Sequence, residues 1–172
     1  MKVIVISGQA QVGKNTFINF CKEGDYDVYD FSTIDYVKEA ARQIGWDGEK
    51  DNRGRRLLSD LKDCLTRYAD IPFKKVVSEI DNVLYQYDQF EQPTDKLIFF
   101  IQSREPADID KWVEKYNAKT LLIRREVEEE YDNHADQGVF DYDYDYVYSN
   151  THDLDTFKRD AINFINYIGS RP

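Results

Sequence analysis

The stretch VIVISGQAQVGKNTFINF, residues 3–20, decides the fold. It opens on a continuous apolar run, KVIVIS over 2–7, the pattern of a strand covered on both faces. Gly8-x-x-x-x-Gly13-Lys14 follows, the opening of a phosphate-binding P-loop, and the residues after it read as a helix. Gly8 and Gly13 permit tight turns and close backbone approach to a ligand. The amides of the loop, Gln11 and Val12 among them, form an anion cradle with the start of the helix. Lys14 supplies a point charge for β- and γ-phosphates. Asn15 stands where the motif usually has Ser or Thr. It offers a carbonyl oxygen, which suits the preference of Mg²⁺ for oxygen ligands, and Thr16 at the helix start is placed to touch a phosphate oxygen. The expected cofactors are ATP and Mg²⁺. Gly8, Gln11, Val12, Gly13, Lys14, Asn15 and Thr16 are expected to bind the nucleotide, and Asn15 and Thr16 the metal. The plainer alternative is a glycine turn with a surface lysine.

Outward from this stretch, four more strand candidates appear: 27–31, 96–101, 119–123 and 144–149. Helical spacing lies between them. It covers 35–45; 55–68, with Leu57, Leu58, Leu61, Cys64, Leu65 and Tyr68; and 73–88 after Pro72. It continues through Ile109, Trp112, Val113 and Tyr116, and from Leu154 to Ile168. Strands alternating with helices predict an α/β fold. The expected form is the three-layer P-loop nucleoside triphosphate hydrolase fold, with a five-stranded, mainly parallel sheet covered by helices on both faces. With 172 residues, one domain is expected, with an acceptor-binding helical region at about 35–70 and a small lid at about 124–141. The Asp–Tyr alternation of DYDYDYVY, 141–148, suits a strand entry with rings inward and acids outward.

Charge and composition exclude several classes. A net charge of −10 argues against gripping a polynucleotide backbone and leaves room for a small anion held by a few basic side chains. No apolar run approaches the roughly 18 residues of a membrane span, and the first residues lack a signal-peptide pattern. Cys21 and Cys64 lack metal or disulfide spacing and read as reduced, buried thiols of a cytoplasmic protein. The apolar helix stripe faces either the sheet or a partner, which leaves a homodimer open.

Three basic groups stand outside the loop. At about 100° per residue Arg55, Ser59, Lys62 and Thr66 share one helix face, opposite the leucines and expected to face away from the core, a strip able to hold an acceptor phosphate or, alternatively, a solvated face. Arg124 and Arg125 sit at the carboxyl end of the fourth strand, where ligands bind in open α/β sheets. They suit charge neutralisation during phosphoryl transfer, or surface pairing with Glu126, Glu128 and Glu129. Arg104, just past the third strand, suits substrate contact or pairing with Glu105 or Asp108.

In order along the chain these segments resemble the phage-type deoxynucleoside monophosphate kinases, within the P-loop nucleoside monophosphate kinase group. Gly13-Lys14-Asn15-Thr16 is a near variant of their Gly-Lys-Asp-Thr. FSTIDYVKEAARQIGW (31–46) is similar to their Phe-Ala-Asp-Pro-Leu-Lys-Glu segment, which puts Asp35 and Lys38 on acceptor-site positions. RRLLSDL (55–61) resembles their Arg-x-x-Leu-Gln helix, with Ser59 in place of glutamine. SREP matches Arg104 and Pro106 to their Asp-Val-Arg-x-Pro stretch, and NHADQ with DYVYSN resembles their His-x-Ser-Glu segment and closing strand ending in Asn. Two departures stand out: Gln102-Ser103-Arg104 lacks the acid of Asp-Val-Arg, and Asn15 replaces the loop's acid or hydroxyl. Both remove charge or hydroxyl near the expected metal.

The resemblance implies transfer of the γ-phosphoryl of ATP to a nucleoside or deoxynucleoside 5′-monophosphate. Lys14, Arg124 and Arg125 are then the catalytic candidates, and Asp35, Lys38, Arg55, Ser59, Lys62 and Arg104 the substrate-binding ones. The competing expectations are a non-catalytic nucleotide-binding protein of kinase fold and a P-loop kinase for another small phosphorylated acceptor.

Overall fold

Five strands form the sheet of the computed structural model, which describes residues 1–125 and 138–171. They are β1 (Lys2–Ser7), β2 (Asp27–Ser32), β3 (Leu97–Gln102), β4 (Lys119–Arg124) and β5 (Tyr146–Ser149), in the order β2-β3-β1-β4-β5. β1 lies parallel between β3 and β4, with Ile4 opposite Phe100 on one side and Lys119 on the other. β5 runs parallel to β4, with Leu122 opposite Val147. The apolar runs of β1 and β3 are continuous because both strands are flanked by others and covered on two faces. After β1 the chain leaves for the β2 edge, and after β3 it crosses to the β4 side. The carboxyl end of β1 is therefore the switch point at which open α/β sheets bind ligands.

The described residues form two compact units, Met1–Asp30 with Pro93–Pro172, and Phe31–Gln92. In the first, α1 (Lys14–Cys21) packs on the last helix, and their Phe17, Ile18, Phe157, Ala161 and Ile165 close over Ile4, Ile6, Ile98, Phe100, Leu121 and Ile123. Alternate strand residues point to the other face. There α5 (Pro106–Tyr116) packs against β1 and β4 with Ile109 and Trp112 fully buried. Each such apolar side chain contributes about 1.5 to 3 kcal/mol on burial. That layer of sheet and helices fixes where the β1 carboxyl end sits.

The second unit is three helices packed on one another, α2 (Thr33–Gln43), α3 (Asn52–Ala69) and α4 (Ile71–Gln89). Its cluster is Val37, Ala41 and Leu58 with Ile34, Trp46, Leu61 and Leu65. Asp51 starts α3 before position 55 by accepting the Gly54 N–H at 2.7 Å, an N-cap. Pro72 lies in the first turn of α4, as its missing N–H allows.

Three expectations change here. On α3, Leu57, Cys64 and Tyr68 are exposed, while Arg55, Ser59, Lys62 and Thr66 are half-buried beside Leu58, Leu61 and Leu65. The covered arc is rotated toward the polar strip, so that strip does not face away from the core. Cys64 is accordingly an exposed thiol, and only Cys21 is buried. β5 starts at Tyr146 rather than 144, because the Asp145 carboxylate itself accepts from Thr120 N–H and Thr120 Oγ1, both at 2.9 Å, and from Lys119 Nζ at 3.0 Å. Those bonds, stronger than the cost of burial, hold the Asp145 carboxyl below its ordinary range. The expected alternation persists before the strand: Tyr142 and Tyr144 are half-buried, and Asp141, Asp143 and Asp145 exposed. The last helix, α6 (Leu154–Gly169), is capped by Asp153 accepting from Thr156 N–H. Most of the expected lid, 126–137, lies outside the described residues.

Candidate nucleotide site

The loop after β1 has the backbone its glycines predict. Gly8 has φ 142° and Gly13 φ 103°, and Gln11 is also left-handed at φ 62°. A Cβ on Gly8 would lie 2.3 Å from the Ile123 carbonyl oxygen, and one on Gly13 would lie 2.8 Å from Asn150 Nδ2. The backbone contact shuts a side chain out at Gly8, and the positive φ disfavours one at Gly13. Gly13 is the N-cap of α1, and no side chain caps that helix. Its first turn holds no acid, so the amides of Lys14, Asn15 and Thr16 and the positive end of the helix dipole meet no negative charge from that turn.

Lys14 is buried, and its ammonium donates to the carbonyls of Gly8 and Gln9, each at 2.6 Å. The cation thus lies along the loop itself. Asn150 supports the loop from outside: its Nδ2 donates to the Val12 carbonyl at 2.9 Å, and its N–H donates to the Arg124 carbonyl at 2.8 Å. This residue at the end of β5, noted in sequence only as the closing Asn, is 5% exposed and ties β4, β5 and the loop together.

A second group lies at the neighbouring strand ends. Gln102 Nε2, at the end of β3, donates to Asn15 Oδ1 at 3.0 Å and to Asp30 Oδ1 and Oδ2 at 3.1 and 3.0 Å. Asp30, on β2, is a functional candidate that the sequence reading missed. Nothing in DVYDF distinguishes it from a strand acid; the signal is that β2 pairs beside β3 and ends at the same rim. Asn15 was expected as a metal ligand, and its oxygen already accepts the Gln102 amide with one lone pair.

The other expected residues fall as follows. Arg124 is exposed, with Nε donating to Ser149 Oγ at 2.8 Å, and Arg125 beside it is exposed too. Their expected partners Glu126, Glu128 and Glu129 lie outside the described residues. Arg104 is half-buried just past β3, and Asp108, one of its expected partners, takes Lys111 at 3.2 Å. In the second unit Asp35 and Lys38 pair with each other at 2.6 Å, one turn apart on α2, with Lys38 the more buried. Arg55 Nε donates to the Lys50 carbonyl at 2.8 Å, and Ser59 and Lys62 continue its face of α3. Among the described residues no group of three His, Cys, Asp or Glu side chains is arranged to hold a metal. Nor is any helix among them long and apolar enough to cross a membrane.

No family model matches the sequence, and no curated protein matches it. Among solved structures the chain is similar to dephospho-CoA kinase from Campylobacter jejuni, with 13% identity and a TM-score of 0.55 over 98% of each chain. It is also similar to TT1252 from Thermus thermophilus, with 18% identity and a TM-score of 0.51 over 97% of each chain. The likeness is one of fold. Together the sheet order and the loop after β1 define a P-loop kinase-like α/β fold.

Proposed function

We propose that this chain transfers the γ-phosphoryl group of ATP to a nucleoside or deoxynucleoside 5′-monophosphate, giving the diphosphate. The observation that carries the reading is the loop itself. Gly8, Gln11 and Gly13 have positive φ, an acid-free helix start follows, and the Lys14 ammonium lies against the loop carbonyls. Such a cradle fits a polyphosphate. The monophosphate acceptor rests on the sequence resemblance and on the cations of the second unit, Lys38, Arg55 and Lys62.

The chemistry asks little of a base. A phosphate monoester has a second pKa of about 6 and is largely ionised near neutral pH. Catalysis then consists of positioning and charge neutralisation. Lys14 holds β- and γ-phosphate oxygens, and Arg124 and Arg125 balance charge on the transferring group; for the acceptor, the sequence resemblance names Arg104 and Asp35. The Asn15 amide oxygen and Thr16 hydroxyl form an all-oxygen donor set at the helix start, the chemistry Mg²⁺ requires. Asn15 and Thr16 would hold the ion, and the chemistry it would supply there is charge neutralisation on the triphosphate.

Purified protein with MgATP and a panel of ribo- and deoxyribonucleoside monophosphates, resolved by chromatography, tests this. One diphosphate formed together with ADP is the expected result. A second reading, a nucleotide-binding protein without turnover, is favoured by an amide at position 15 whose oxygen is already engaged by Gln102. ATP binding with no product from any acceptor would establish it in place of the first.

A further inference from the structure

We propose that Asp30 carries the carboxylate of the magnesium shell in this chain, on β2 rather than at the end of β3, with Gln102 as the residue that positions it. The inference rests on the nucleotide reading above and concerns how the same site is built.

Hydrogen-bond chemistry fixes the group's orientation. A carboxylate only accepts, so Asp30 obliges Gln102 to turn its NH₂ toward it. The Gln102 oxygen must then point away, and the remaining N–H reaches Asn15. Asn15 must present its oxygen to that N–H, not its own NH₂. One acid on β2 thus sets the rotamer sense of two amides and leaves the Asn15 oxygen with a second lone pair. Because both oxygens lie 3.0 Å from one nitrogen, Asp30 Oδ2 and Asn15 Oδ1 are at most about 6 Å apart. A hydrated Mg²⁺ takes a few oxygens at about 2.1 Å and reaches others through the waters it retains. Two oxygens so spaced, one of them at the first turn of the loop helix, suit that habit.

Charge explains why position 102 is not an acid. Gln102 Nε2 is within 3.1 Å of both Asp30 oxygens. An acid in its place would set two carboxylates at hydrogen-bond distance, and like charges so close cannot both remain ionised. Beside the Asp30 carboxylate, position 102 suits a neutral donor better than a second acid. The carboxylate that the end of β3 lacks is in this chain carried by β2 beside it.

That placement is testable by reversing it. ATP binding is measured by calorimetry in EDTA and across a magnesium series for the unaltered chain, Asp30→Asn, and Asp30→Asn with Gln102→Asp, with thermal midpoints as fold controls. A carboxylate that reaches the ion through the waters it retains is an outer-shell partner, and loss of such a partner typically weakens metal affinity 10- to 100-fold. Asp30→Asn is expected to raise the magnesium concentration needed for tight binding by about that factor, with affinity in EDTA unchanged within about twofold. The double variant, with the acid moved to β3 and an amide on β2, is expected to recover most of the loss. Wild-type magnesium dependence in folded Asp30→Asn would overturn the proposal, as would a loss that the double variant leaves uncorrected. So would lost turnover with magnesium dependence intact, which would place Asp30 on the acceptor instead. Absence of ATP binding in both media by the unaltered chain would overturn the nucleotide reading and this proposal together, whereas binding indifferent to magnesium would overturn this one alone.

Discussion

Asn150→Asp replaces an NH₂ by an oxygen, yet it reverses the bond that supports the loop. In the structure Nδ2 donates to the Val12 carbonyl at 2.9 Å from a side chain that is 5% exposed. Loss of the donor leaves a carbonyl unpaired, at about 1 to 3 kcal/mol, and a carboxylate there adds oxygen–oxygen repulsion and burial of charge. Once protonated, the introduced carboxyl escapes both, because its O–H can donate where the amide did. The folded-state pKa of the new acid therefore rises above the ordinary 3.9 or so; a penalty of roughly 3 kcal/mol corresponds to about two pH units. The sign follows from proton counting. Between about pH 4 and 6 the folded variant holds the proton that the unfolded chain has lost, so its stability falls as pH rises and is fully reduced near pH 7. Urea unfolding of variant and wild type at matched pH values, compared as a difference, removes the contribution of the other acids. The expected difference is about 3 kcal/mol near pH 7, shrinking by half near pH 5. A difference that ignores pH, or none at neutral pH, would refute the role given to Asn150.

Lys14→Met keeps the aliphatic stem and removes the ammonium; a charge about 4 Å from a phosphate at an effective dielectric near 20 is worth about 4 kcal/mol, so phosphoryl transfer should fall about 10³-fold, whereas loss of the donor to the Gly8 and Gln9 carbonyls should lower stability by only about 1 to 3 kcal/mol. Arg55→Ala should raise the acceptor KM more than it weakens ATP binding, and an effect confined to ATP would remove α3 from the acceptor site. Asn15→Thr brings the loop nearer the usual motif but takes away the acceptor of the Gln102 amide, so magnesium-dependent ATP binding should weaken; strengthening would show that Asn15 acts independently of Gln102. Native protein should release one equivalent of thiolate quickly with an aromatic disulfide reagent and two after unfolding, because Cys64 is exposed while burial pushes the Cys21 thiol up to about 12.

What sequence could supply followed the range of the interactions. β1, the loop and α1 are contiguous, and their pattern is complete within about 20 residues, so fold class and the glycine-dependent backbone of the loop were both readable there. β3 and β4 were readable because burial on two faces leaves a continuous apolar run. α3 was readable as a helix but not in its orientation. Its Leu57, Cys64 and Tyr68 satisfy the apolar period, yet the covered arc takes in Arg55, Ser59, Lys62 and Thr66 instead. Periodicity reports that one side of a helix differs from the other, and only packing against α2 and α4 settles which residues are covered. The supports of the loop were invisible for a different reason. Asp30 meets Gln102 across 72 positions and Asn150 meets Val12 across 138, so both depend on strand order, which no local pattern encodes.

That distance dependence changes how the two departures from the kinase motif should be weighed. Taken singly, Asn15 lacks a hydroxyl and Gln102 lacks a charge, and each reads as a loss. In the structure they are two members of one hydrogen-bonded set whose third member, Asp30, is an acid. Residues joined through a shared partner do not contribute independently, so the effect of each is defined only in the presence of the others. An amide at 102 next to an acid at 30 is self-consistent, as an acid at 102 next to an amide at 30 would be. The same reasoning makes Asn15 an appropriate loop residue here, since its carbonyl accepts what Gln102 must donate, at a reach its side chain can span. A motif written one strand at a time records substitutions; the rim of the sheet, where strands distant in sequence end side by side, decides whether they amount to a defect.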